Sequence, residues 1–152
     1  MPRSGARTSG FTLIEVLVAL VIASVLMTVV GLSIRGADRS LQFDAERLAM
    51  LLSLAREEAL VRGAPIRFEA DDLEYRFMIR RAARWQPLLD DRDLRVRAWS
   101  GPTTIKVERP DGGEQIEFGR DVVDTPFALH LARDGRQATV QADGLGVFEL
   151  AR

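Results

Sequence analysis

One carboxylate stands where an acid is hardest to place. Glu15 lies in Gly10-Phe11-Thr12-Leu13-Ile14-Glu15, at the head of a run in which residues 16–34, VLVALVIASVLMTVVGLSI, carry no charge. At the middle of an apolar layer a charged side chain costs about 2.5–3.5 kcal/mol, and less near its edge. Two arrangements relieve that cost. Either the side chain snorkels to a polar interface, or a cation meets it inside the layer.

The other chemistry-bearing residues read more blandly. The chain has no Cys, which excludes disulfides, thiol catalysis and Cys-ligated metals, and its single His, His130, excludes a multi-His site within one copy. Asp90, Asp91 and Asp93 lack the ligand spacing and later Glu of a calcium loop and are expected in a solvated turn. Arg80, Arg81 and Arg84 beside Trp85 have the composition to touch phosphates and stack a base. Those three acids follow closely and cancel the local field, so a solvated loop rim is expected. His130 is expected on the outer face of a strand, and Asp111-Gly112-Gly113 as a hairpin turn. Ser100 is the only Ser outside leader and helix and has no nucleophile-elbow motif, so no catalytic residue is assigned and no metal or cofactor is expected.

The elements that carry these residues follow from period and punctuation. With 152 residues and a net charge of -1, the chain suits one domain plus an appendage and shows no global preference for a polyanion. Nineteen uncharged residues span about 28 Å as a helix, the thickness of a bilayer core. A secretory signal has a shorter apolar region, about 7–15 residues, and a small-residue cleavage site, neither of which is present here. Leu41, Ala45, Leu48, Leu52, Ala55 and Ala59 then recur at steps of four and three on one helical stripe, and Gly63 with Pro65 stops it. One helix over residues 11–62 is predicted, softened near Gly36.

From Ile66 the period becomes two. Strands are predicted at Ile66–Ala70, Leu73–Ile79, Leu94–Trp99, Thr103–Glu108, Glu114–Phe118, Phe127–Ala132, Gln137–Ala142 and Val147–Leu150, separated by Asp/Gly/Pro turns. The fold class is therefore α+β: a long N-terminal helix, apolar in its first half and amphipathic in its second, packed on a C-terminal antiparallel β domain.

GFTLIEVLVALVI after a short basic leader resembles the class III signal of type IV pilins and type II secretion pseudopilins. Leu52-Ser53-Leu54-Ala55-Arg56-Glu57-Glu58-Ala59-Leu60-Val61-Arg62-Gly63-Ala64-Pro65-Ile66, with the later Asp143-Gly144-Leu145-Gly146, resembles the H-type minor pseudopilins, which share a domain with FimT-type minor pilins. The resemblance implies a pilin-like fold and a leader, residues 1–10, cut by a prepilin peptidase between Gly10 and Phe11. It further implies N-methylation of Phe11, and Glu15 pairing with the terminal amine of a neighbouring subunit. Residues 11–34 would then be the transmembrane and assembly helix, and 35–152 a periplasmic domain with its helix to about 62 and its β head from 66 to 152. The implied partners are the prepilin peptidase, the other pseudopilins (the major one and the minor tip subunits) and the inner membrane, crossed once; nucleic acid is not an expected partner. The function implied is a structural subunit of the pseudopilus of type II secretion, not an enzyme. The alternatives are a FimT-type minor pilin of a type IV pilus with a DNA-binding role, and a periplasmic enzyme whose anchor merely resembles the signal.

Overall fold

The computed structural model describes residues 13–88, 91–119 and 124–151, and for residues 27–38 the backbone alone. Helix α1 runs Leu13–Arg62. The chain divides into two compact units, one ending at Gly36 and one beginning at Ala37. The glycine expected to soften the helix is thus the last residue of the first unit.

In the first unit every described apolar side chain from Leu13 to Leu26 is exposed, Leu13 at 84% and Leu20 at 66%. In the second unit all six residues of the predicted stripe are buried, Leu41 at 2% and the other five at 0%. They share one core with Ile66, Phe68, Phe77 and Ile79 from one sheet and Leu129, Leu131 and Val140 from the other. Gly63 takes a φ of 58°, free for a residue without Cβ, and ends the helix with Ala64 donating its N–H to the Ala59 carbonyl.

The β head is two antiparallel sheets. The first holds β1 (Ile66–Ala70), β2 (Glu74–Arg81), β3 (Arg84–Pro87), β4 (Arg97–Ala98) and β6 (Ile116–Phe118) in the order β3-β2-β1-β6, with β4 also on β2. The second holds β5 (Thr104–Glu108), β7 (Phe127–Arg133), β8 (Arg136–Ala142) and β9 (Phe148–Leu150) in the order β5-β7-β8-β9. Phe148 stands edge-on to Phe118 at 5.8 Å and tilted to Phe127 at 6.2 Å, so its ring ties the two sheets together.

Three expectations need correction. The stretch Arg80–Trp85 is a tight hairpin between β2 and β3, pairing Arg80 with Trp85 and Arg81 with Arg84, rather than a loop rim. Its turn is Ala82-Ala83, both at positive φ, where Asn-Gly is the ordinary choice. Of the strand expected at Leu94–Trp99 only Arg97–Ala98 pairs. Leu94 and Trp99 are buried from irregular backbone, the Trp99 indole donating to the Asp71 carbonyl at 2.9 Å. Finally, Asp111-Gly112-Gly113 is not a hairpin turn, because β5 pairs β7 and β6 pairs β1; the turn carries the chain from one sheet to the other.

Candidate functional site

Glu15 is placed in the first turn of α1. Glu15 and the apolar residues around it, Leu13, Ile14, Val16 and Leu17, are all exposed. This turn therefore offers a carboxylate ringed by apolar surface. Gly10 and Phe11 lie outside the described residues.

The second unit shows how the rest of the helix is fastened. Asp44, one turn into the buried stripe, is itself buried, and its carboxylate pairs with Arg133 of β7 at 2.6 Å, each side chain 4% exposed. Both members of the pair have further partners. Arg133 also donates to the Thr103 hydroxyl through Nε at 3.0 Å and to Ser40 through Nη1 at 3.2 Å, while Asp44 accepts the Ser100 N–H and hydroxyl. A buried ion pair is tolerable when further hydrogen bonds support both charges in this way. No sequence signal marks it, because each charge by itself reads as solvated surface.

The two segments that carry the H-type resemblance meet in space. Arg56 donates to Asp124 at 2.9 Å, and Asp124 donates its N–H to the Gly144 carbonyl at 2.8 Å. A Cβ at Gly144, where φ is +81°, would lie 2.3 Å from the Asp124 carbonyl oxygen, and one at Gly146 would lie 2.6 Å from Arg56 Nη1. Asp143 Oδ1 accepts the N–H groups of Leu145, Gly146 and Val147, and those bonds hold its carboxyl below the usual carboxylate range. Asp143-Gly144-Leu145-Gly146 is thus a turn shaped to let the helix residue Arg56 and the loop residue Asp124 lie against its backbone.

The remaining candidates are engaged in local structure. Ser100 is spent on Asp44. His130 binds Thr139 and Glu108 at 3.0 Å each on the outer face of its sheet, as its strand register requires. Asp91 caps its own turn through the N–H groups of Asp93 and Leu94 and pairs with Arg62 at 2.9 Å; Asp90 lies outside the described residues. Among the described residues no group of three His, Cys, Asp or Glu side chains is placed to hold a metal ion.

Comparison with known proteins agrees with this arrangement. The model of the family "Type II transport protein GspH" matches residues 44–146, and that of the "Prokaryotic N-terminal methylation motif" matches residues 5–31. Type II secretion system protein H of Aeromonas hydrophila is 30% identical, with 95% of this chain and 93% of that protein covered. Its counterpart from Pseudomonas aeruginosa is 31% identical, with 94% of each covered. The solved minor pseudopilin EpsH of Vibrio cholerae superposes with a TM-score of 0.61 at 21% identity, over 74% of this chain and 96% of that one. The first of these matches spans the helix stripe from Ala45 on, the Asp44–Arg133 pair, strands β1 to β8 and the Arg56 seat of the Asp143–Gly146 turn, and the chain accordingly belongs to the type II transport protein GspH family.

Proposed function

We propose that this chain is a minor pseudopilin of type II secretion that is cut after Gly10, N-methylated on Phe11, and locked into the filament by Glu15. The observation that carries the reading is the contrast along α1. Its second half spends its apolar stripe on its own sheets, whereas the side chains from Leu13 to Leu26 are exposed and need lipid or neighbouring helices to cover them. Before assembly, lipid would cover residues 11–34, with the domain from residue 35 in the periplasm. Among the described residues no helix is long and apolar enough to cross a membrane, and the side chains of residues 27–34 of the proposed span lie outside them.

The mechanism is packing with one electrostatic register mark. Cutting after Gly10 exposes the α-amine of Phe11 at the start of an apolar bundle, and an unpaired cation there is unfavourable by several kcal/mol. Glu15 of an adjacent subunit removes that penalty only at one axial offset, so the pair sets the stagger while apolar burial supplies the attraction. No step of bond-making chemistry falls to this chain; the prepilin peptidase performs the cleavage.

Intact-mass analysis of protein taken from membranes that contain the peptidase tests the processing. The expected mass is that of a chain beginning at a methylated Phe11. A chain still carrying residues 1–10 there would refute it.

A further inference from the structure

We propose that the β2–β3 hairpin is a docking tip for a phosphate-bearing anionic lipid surface. Its residues disregard the stability of the hairpin in two independent ways. Arg81 and Arg84 are directly opposite each other across the strands, a like-charge pairing that destabilises a sheet. The turn between them forces Ala82 to a φ of 47° and Ala83 to 62°, a conformation that L side chains adopt at a penalty. What the arrangement does achieve is three exposed arginines, Arg80, Arg81 and Arg84, on one two-residue turn, none ion-paired among the described residues. Neither of the described acids that follow in sequence, Asp91 and Asp93, is paired with them. Asp91 is held by Arg62 and its own turn, and Asp93 is offset by Arg92 and Arg95 in the same loop.

Two observations select the ligand class. One face of the Trp85 ring is occupied by Arg67, whose Cζ lies 4.1 Å from the ring centroid while its Nη2 pairs with Glu117. This takes up one face of the aromatic platform that single-stranded nucleic acid uses. The three cations also flank a single two-residue turn, Arg81 and Arg84 on one face of the hairpin and Arg80 on the other, so a layer of headgroup phosphates approached by the turn meets charge on both faces. The tip is anchored where α1 ends, with the Arg80 N–H donating to the Pro65 carbonyl at 2.9 Å. Within its unit it therefore lies at the opposite end of the helix from Ala37, the residue through which the apolar segment joins. Shielding the edge strand β3 from aggregation is the plainer role of these charges, but a single cation would serve it and would not require Arg81 to face Arg84.

The test uses the full chain held in phosphatidylcholine nanodiscs and mixed with added vesicles of phosphatidylcholine alone or with phosphatidylglycerol. Each cation near such a surface contributes about a fivefold gain, so R80S/R81S/R84S should weaken capture by phosphatidylglycerol vesicles about a hundredfold. Raising salt should weaken wild-type capture as well. Ala82→Asn with Ala83→Gly relaxes the turn and keeps the arginines; it should raise the melting temperature and leave capture unchanged, which separates charge from folding. Replacing chloride by inorganic phosphate at equal ionic strength should leave capture in place. Equal capture by both vesicle types, full capture by the triple variant, loss to free phosphate, or tighter binding of a single-stranded oligonucleotide than of the vesicles would each overturn the assignment.

Discussion

Two acids on the same helix live in opposite surroundings. Asp44 is enclosed by its own chain and partnered on both carboxylate oxygens, by Arg133 at 2.6 Å and by the N–H and hydroxyl of Ser100. Glu15, in the turns where every described apolar neighbour is exposed, shows its carboxylate to whatever surrounds the helix. The difference teaches how the work is divided. The turns from Leu41 on are finished by folding within the chain, and those from Leu13 to Leu26 leave their apolar side chains uncovered. A buried charge reports a completed structure, and a charge ringed by exposed apolar surface reports a missing neighbour.

That contrast breaks first at its folded half. Arg133→Ala leaves Asp44 buried without its cation and should lower unfolding free energy by about 3–5 kcal/mol. Replacing both Asp44 and Arg133 by apolar residues of similar size should recover much of the loss. Chemical denaturation of a fragment beginning at Arg35, which should be soluble and fold without metal, measures both. Full stability in Arg133→Ala would show that the pair does not fasten the helix.

A smaller loss separates the two halves directly. Leu52→Ala, at 0% exposure, should cost about 3 kcal/mol. Leu20→Ala, at 66% exposure, should leave the melting of the β head unchanged in the full chain. An equal loss from both would erase the proposed division. Next in size is Gly144→Ala, whose added methyl meets the Asp124 carbonyl at a positive φ; about 1–3 kcal/mol is expected from the same denaturation experiment.

The smallest effect is the response to acid. Asp71 and Asp143 are held below the ordinary carboxylate value by backbone N–H donors, so the native state prefers them ionised. Their contribution is complete above the unfolded value of about 3.9 and is lost as pH falls through the lower native values. Melting temperature should therefore decline between pH 4 and about pH 2, and Asp143→Ala should flatten that decline. A decline of the same slope in the variant would remove Asp143 from the explanation.

The parts legible in the sequence were those written in local spacing. The stripe from Leu41 to Ala59 is a three-and-four repeat, and all six of its residues are buried because a half-apolar helix has one way to cover itself. Phe127, Leu129 and Leu131 alternate with Ala128, His130 and Ala132, and the sheet buries the first set. β3 was hidden because Arg84-Trp85-Gln86-Pro87 has neither alternation nor a glycine turn before it. Thr104–Glu108 and Ile116–Phe118 read as neighbours in a hairpin, but strand pairing is decided by partners far along the chain. The Asp44–Arg133 bond joins residues 89 positions apart, and no local pattern encodes it. The leader motif is different again. It was legible because it is a linear string, Gly10 to Glu15 at the head of an uncharged run, that needs no folded context to be read.

The most direct measurement is cross-linking of wild type, Glu15→Ala and Glu15→Gln to the other pseudopilins in membranes. Insertion should persist in both variants, since losing a carboxylate makes the segment more apolar. Processing should persist because the scissile bond precedes the substitution. Incorporation should fall in both, and by nearly as much in Glu15→Gln, which keeps the size and loses only the charge. Normal cross-linking of both variants would contradict the pairing and return Glu15 to the role of a carboxylate that snorkels to the membrane surface.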